Sequence, residues 1–92
     1  MTDAAPPGAP AAAPIARVEL LGRAGCHLCE QAREVVARVC GTLGVTWTER
    51  SVDDDPALLA RYSDLVPVVL VDGAEHAHWR VDAATLRAAL LR

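Results

Sequence analysis

Between Arg17 and Asp53 the apolar pattern changes its period twice, and this constrains the fold more than any other feature of the chain. The stretch "RVELLG" (17–22) is short, apolar-rich and closed by Gly22, as a buried strand would be. From Leu28 the spacing lengthens: Leu28, Ala32, Val35, Val36, Val39 and Leu43 recur every three or four residues, with charged residues between them. That period predicts an amphipathic helix ending near Gly41 and Gly44. "VTWTERSVD" (45–53) then alternates, carries β-branched residues and Trp47, and predicts a second strand. A strand, a long helix and a strand make a crossover unit, so the two strands should be parallel and the connection right-handed.

The remainder follows by the same reading. In "DDPALLARYS", Asp55 is placed to cap a short helix with Pro56 at its first position. "VPVVLVDG" (66–73) is a nearly continuous apolar run closed by Asp-Gly, which predicts a central strand and then a hairpin turn. "EHAHWRV" (75–81) should be its antiparallel partner, and Asp82 should cap a last helix with Leu86, Ala89 and Leu90 facing inward. The expected order is β-α-β-α-β-β-α, one small α/β domain over residues 15–92. Residues 1–14 are Ala, Pro and small polar residues without periodicity, and are expected to form a disordered tail.

Aromatic residues make up only 3% of the chain, so the core must be built from Val, Leu, Ile and Ala. A net charge of −3 gives no sign of a nucleic-acid or membrane partner. The stretch 1–14 lacks a basic start, carries Asp3 and is broken by prolines, so it does not read as a secretory signal. Cytoplasm is therefore the expected compartment. There a close pair among three cysteines points to catalysis or metal binding rather than to a disulfide scaffold.

That pair is Cys26 and Cys29 in "RAGCHLCEQA" (23–32), at the junction of the first strand and the first helix. Unpaired N–H groups and the macrodipole at a helix start favour negative charge, and the thiolate is the reactive form of cysteine. Cys26 sits at the edge of the turn, where it can meet solvent, and Cys29 lies one turn inward, within reach of a mixed disulfide on Cys26. The spacing supplies a nucleophile and a resolving thiol. His27 would add positive charge beside Cys26, and Glu30 would act in the opposite sense.

With these residues, the Val66-Pro67 step and the β-α-β-α-β-β-α order, the chain resembles the glutaredoxin-like branch of the thioredoxin superfamily over residues 15–92. The resemblance implies a thioredoxin-like fold, a four-stranded mixed sheet with flanking helices. It also implies roles: Cys26 attacks, Cys29 resolves, and Pro67 is a cis-proline facing them, with the Val66 backbone pairing with a bound thiol substrate. Arg23 stands where many glutaredoxins carry a lysine that holds the glutathione carboxylate. His27-Leu28 replaces the Pro-Tyr of typical glutaredoxins and the Gly-Pro of thioredoxins. The Gly-Gly pair that supports glutathione before the last helix is missing. "HWRVD" (78–82) stands there, with Asp82 as the acidic residue at the helix start.

The expected function is a small monomeric thiol–disulfide oxidoreductase acting on protein or low-molecular-weight disulfides. A thioredoxin-reductase-like or glutathione-based donor would reset it, with no bound cofactor. Two alternatives stay open: a binding module that kept the fold without catalysis, and a metal or iron–sulfur carrier using Cys26. For zinc, the further ligands on offer are His27, Cys40, His76 and His78, and no metal site is assigned. Haem attachment would need His directly after the second cysteine, where Glu30 stands. Cys40 shares the apolar face of the helix and reads as a small buried hydrophobe, while Trp47 and Trp79 read as packing residues on the sheet.

Overall fold

The structure, a computed structural model, describes residues 16–92. The expected tail over 1–14 lies outside the described residues. Strand β1 is Val18–Gly22, helix α1 His27–Leu43, strand β2 Trp47–Ser51, helix α2 Pro56–Tyr62, strand β3 Val68–Val71, strand β4 Ala74–His78 and helix α3 Ala83–Leu90. The sheet order is β2-β1-β3-β4. β1 pairs parallel with β2 and antiparallel with β3, and β3 pairs antiparallel with β4. This is the expected α/β thioredoxin-like arrangement, a four-stranded mixed sheet with flanking helices.

The two central strands are covered on both faces, which is why they read as unbroken apolar runs. Alternation along them divides the core in two. Val18 and Leu20 of β1 join Val69 of β3 in one cluster with Ala32, Val36, Val39 and Cys40 of α1 and Leu86 and Leu90 of α3. Leu21 and Val68 face the other way and pack with Val52 and Tyr62. Trp47 packs against the first cluster, as expected of it.

The ends of the elements depart from the sequence reading where a residue's tertiary role outweighs its local pattern. Gly41 lies within α1, which stops at Gly44 in the left-handed conformation (φ 68°). Val45 N–H then bonds to Cys40 O at 2.9 Å, and Gly44 N–H to Gly41 O at 3.4 Å. These bonds satisfy carbonyls the helix end would leave open. β2 ends at Ser51 because Val52–Asp54 form a 3₁₀ turn, with Ser51 Oγ accepting from Asp53 N–H at 3.2 Å. That turn carries Val52 into the second core cluster. β4 ends at His78, short of the expected Val81, because Trp79 takes φ 65° and leaves the sheet. His76 is the extra residue of a bulge opposite Val69 and Leu70. Among the described residues no helix is long and apolar enough to cross a membrane.

Candidate functional site

The turn Arg23–Gly25 delivers the chain from β1 to Cys26, whose extended backbone (φ −96°, ψ 111°) makes it the N-cap of α1. Its own sulfur does the capping. Cys26 Sγ accepts the Cys29 N–H at 3.1 Å, and Cys26 O accepts the first helical bond, from Glu30 N–H at 3.2 Å. Cys26 and Cys29 are joined as a disulfide with their Cα atoms 5.1 Å apart. The two sulfurs are not equivalent. Cys29 is 1% exposed while Cys26 is half-buried, so a partner from solvent meets Cys26 first. When the pair is reduced, the N–H that now points at Cys26 Sγ and the helix dipole behind it both favour negative charge on that sulfur.

Gly22 is the residue that lets Cys29 in. A Cβ at position 22 would lie 3.2 Å from Cys29 Sγ and 3.3 Å from its Cβ. Sequence reading takes Gly22 only as the close of a strand, and no local signal distinguishes a strand end from a seat for a sulfur.

The Val66-Pro67 bond is cis, and Pro67 is fully buried. The register that pairs Leu21 with Val68 carries Pro67 to the level of Gly22, beside the turn leading to Cys26. Among the described residues, neither the N–H nor the C=O of Val66 takes a backbone hydrogen bond.

The remaining expected site residues are spread around this pair. Arg23 turns toward Asp53, with Nη2 at 3.4 Å from Oδ1, on the β2 side of the turn. Its Nε is buried without a hydrogen-bond partner among the described residues. The His27 ring is exposed, with Nδ1 3.7 Å from Glu30 Oε1. Asp82 caps α3, its carboxylate accepting the Thr85 N–H at 2.9 Å. It also borders a groove of about 350 Å³ between α1 and the segment before α3. Leu28, Ala32 and Val35 form the α1 side of that groove, and Trp79, Arg80 and Val81 the other.

Trp79 corrects the sequence reading. It is not buried on the sheet but 53% exposed, meeting β4 through the edge-on ring of His78, and it is held by its polar groups. Its backbone N–H bonds to Pro67 O at 2.8 Å and Leu65 O at 3.3 Å, and its indole N–H to Asp64 O at 2.9 Å. A left-handed conformation costs an ordinary L-residue roughly 1–2 kcal/mol, which these three bonds offset. The signal was present in "HWRVD", where bulky side chains stand in place of a Gly-Gly pair, but it gave no orientation.

The candidate zinc ligands do not converge. Among the described residues no three His, Cys, Asp or Glu side chains form a cluster fit for a metal ion. Cys40 is wholly buried in the α1 face of the core, and burial pushes its thiol above the ordinary range. His78 Nδ1 lies 3.1 Å from Glu75 Oε2 and its ring stacks edge-on against Trp79.

Comparison with known proteins agrees with this fold. The model of the family described as Glutaredoxin-like domain (DUF836) matches residues 17–91. Uncharacterized proteins of Mycobacterium tuberculosis and Mycobacterium bovis are 42% identical over 81 residues, covering 83% of this chain and 84% of theirs. A structural genomics target protein from X. campestris superposes with a TM-score of 0.66 at 36% identity, over 79% of this chain and 93% of that one. A glutaredoxin from Archaeoglobus fulgidus shares the fold alone, with a TM-score of 0.57 at 17% identity, over 83% of this chain and 87% of that one.

Proposed function

The chain belongs to the glutaredoxin-like domain family (DUF836), and from that premise we propose that it is a dithiol thiol–disulfide oxidoreductase that reduces substrate disulfides through Cys26 and Cys29. The observation that carries this reading is the Cys26 sulfur acting as N-cap of α1, more accessible than a Cys29 buried one turn inward.

In the first step the Cys26 thiolate attacks one sulfur of the substrate disulfide. A Cys26–substrate disulfide forms, and the other substrate sulfur leaves as a thiolate. Cys29, as thiolate, then attacks Cys26 Sγ, which closes the Cys26–Cys29 disulfide and releases the second substrate thiol. Two electrons pass from the protein dithiol to the substrate, and an external dithiol or two monothiols return them. Val66, whose backbone groups have no backbone partner among the described residues, pairs with the substrate chain beside Pro67. In this reading His27 and Arg23, one and three residues from Cys26 in the chain, and Asp82, which borders the groove at Leu28, contribute to substrate binding.

In this reading the substrates are protein or low-molecular-weight disulfides, and the protein works in the cytoplasm as a monomer. No cofactor is bound, and neither nucleic acid nor membrane takes part. The reductant is a thioredoxin-reductase-like enzyme or glutathione. Arg23 supports a glutathione contact by its position, whereas its turn toward Asp53 and the side chains of Trp79 and Arg80 speak against a full glutathione site.

The test is a pair of serine variants. Cys26→Ser should abolish disulfide reduction, and Cys29→Ser should accumulate a mixed disulfide on Cys26 visible by intact mass. Full turnover by the Cys26 variant would overturn the assignment.

A further inference from the structure

We propose that Trp79 and Arg80 form a docking ledge for a protein substrate, selecting a disulfide whose cysteine is flanked by one apolar and one acidic side chain. The proposal rests on the exchange reading of Cys26 and Cys29 and names the substrate class of that same site.

The first observation is Trp79 itself. A bulky residue at φ 65° is an outlier, and such strain persists only where its surroundings over-determine it. Here two backbone carbonyls and a third at the indole edge fix it. The outcome is a ring more than half exposed yet immobilised. A rigid, exposed aromatic gives up little conformational entropy on binding and offers a large apolar face.

The second is where the ring stands. The segment that holds Trp79, Asp64 to Pro67, contains Val66, whose backbone groups take no backbone hydrogen bond among the described residues and can pair with an incoming chain. A chain paired there runs beside the ring. The groove continues from Trp79 to Leu28, the residue preceding Cys29, with Ala32 and Val35 as its apolar floor. An apolar side chain next to the substrate cysteine fills this floor. Glutathione, which has two carboxylates and no apolar side chain, leaves it empty.

The third is charge. Arg80 is exposed on the groove and makes no ion pair among the described residues. The one carboxylate bordering the groove, Asp82, is directed to the Thr85 N–H at the start of α3. Arg80 is therefore the groove's available charge and complements an acidic side chain on the partner.

The experiment compares kcat/KM for three kinds of oxidised substrate. One is a disulfide-linked peptide with Phe and Glu flanking its cysteine, made in both orders; the second is the same peptide with Ser for Phe, Lys for Glu, or both, the last being the Ser/Lys peptide. The third kind is small: glutathione disulfide and bis(2-hydroxyethyl) disulfide. The wild-type protein should prefer one order of the Phe/Glu peptide over the Ser/Lys peptide and over glutathione disulfide by about fivefold or more, the size of one good exposed ion pair. Arg80→Glu should invert the preference between Glu- and Lys-bearing peptides. Trp79→Asn, which tolerates the left-handed backbone, should remove the preference for Phe, and Trp79→Phe should keep it. Ratios that stay flat across these variants, or glutathione disulfide reduced as well as the preferred peptide, overturn the docking ledge while exchange itself stands. No reduction of any substrate, bis(2-hydroxyethyl) disulfide included, overturns the exchange reading and this proposal with it.

Discussion

At the residue scale, the site depends on one missing side chain as much as on two sulfurs. In the proposed mechanism Cys29 is the resolving thiol, shielded from outside attack, and its burial comes from lying against Gly22. A methyl group at position 22 would approach Sγ at 3.2 Å, closer than ordinary van der Waals contact. Cys29 is itself enclosed, at 1% exposure, and has little room to yield. Overpacking of this kind costs about 1–3 kcal/mol. Gly22→Ala should therefore lower stability by about 1 kcal/mol or more and slow the second step, because the strain falls on the resolving sulfur. The check is single-turnover kinetics, where mixed disulfide on Cys26 should persist longer than in the wild type. A variant with wild-type stability and resolution would show that Cys29 moves freely. The two cysteines were legible because their chemistry is local: a three-residue spacing at a strand-to-helix turn defines it. Gly22 was not, since what it accommodates comes from the helix and not from its own strand.

At the element scale, side-chain caps decide where this chain changes direction. Cys26, Ser51, Asp55 and Asp82 each accept a backbone N–H at the start of a helical segment. Three of the four can be read from residue type, and Asp55 with Pro56 and Asp82 were placed correctly by that reasoning. The end of β2 was overrun because alternation continues through Val52, and only the second core cluster explains why the chain curls there. β4 was overrun for a similar reason: Trp79 and Val81 keep a strand-like composition, while the bonds to Leu65 and Pro67 turn the backbone out of the sheet. Helix α2 tests how much a cap contributes. It has seven residues, too few to persist on propensity alone, and Asp55 Oδ1 accepts Ala57 N–H at 2.9 Å. Asp55→Ala should cost about 1 kcal/mol in urea unfolding, whereas Asp55→Asn, an equally good cap, should recover most of it. Equal losses in the two variants would assign the effect to the charge pairing with Arg50, at 3.1 Å, instead of the cap.

At the scale of the whole molecule, the fold was legible because both faces of the sheet are encoded in the period of the central strands. Contacts that close the domain at its far end are not, because they join residues distant in sequence. Arg17, just before β1, donates to both carboxylate oxygens of Asp72 in the β3–β4 turn, at 3.0 and 2.9 Å. It also donates to Leu90 O in the last turn of α3, at 3.2 Å. One guanidinium thus ties the first strand, the hairpin and the last helix together, at the end of β1 remote from Cys26. The hydrogen bond and charge of Arg17 hold the Asp72 carboxyl below its usual range. A carboxyl lowered in the folded state stabilises the protein above its unfolded value, about 3.9, and that contribution disappears as pH falls through the folded value. Asp72→Asn keeps a residue suited to φ 52° but removes the charge and, because an amide nitrogen cannot accept, one of the two oxygens that take the Arg17 bonds. Wild type should therefore outlast this variant in urea near pH 7, by a small margin because both partners are exposed and open to screening. The gap should begin to narrow as pH falls below about 4, where the unfolded carboxyl takes up a proton, and should close as pH falls through the lower folded value. Salt added near pH 7 should narrow it too. A gap that stayed constant down to about pH 3 would mean that the tie acts through shape and hydrogen-bond count alone, and that charge contributes nothing to holding α3 against the sheet.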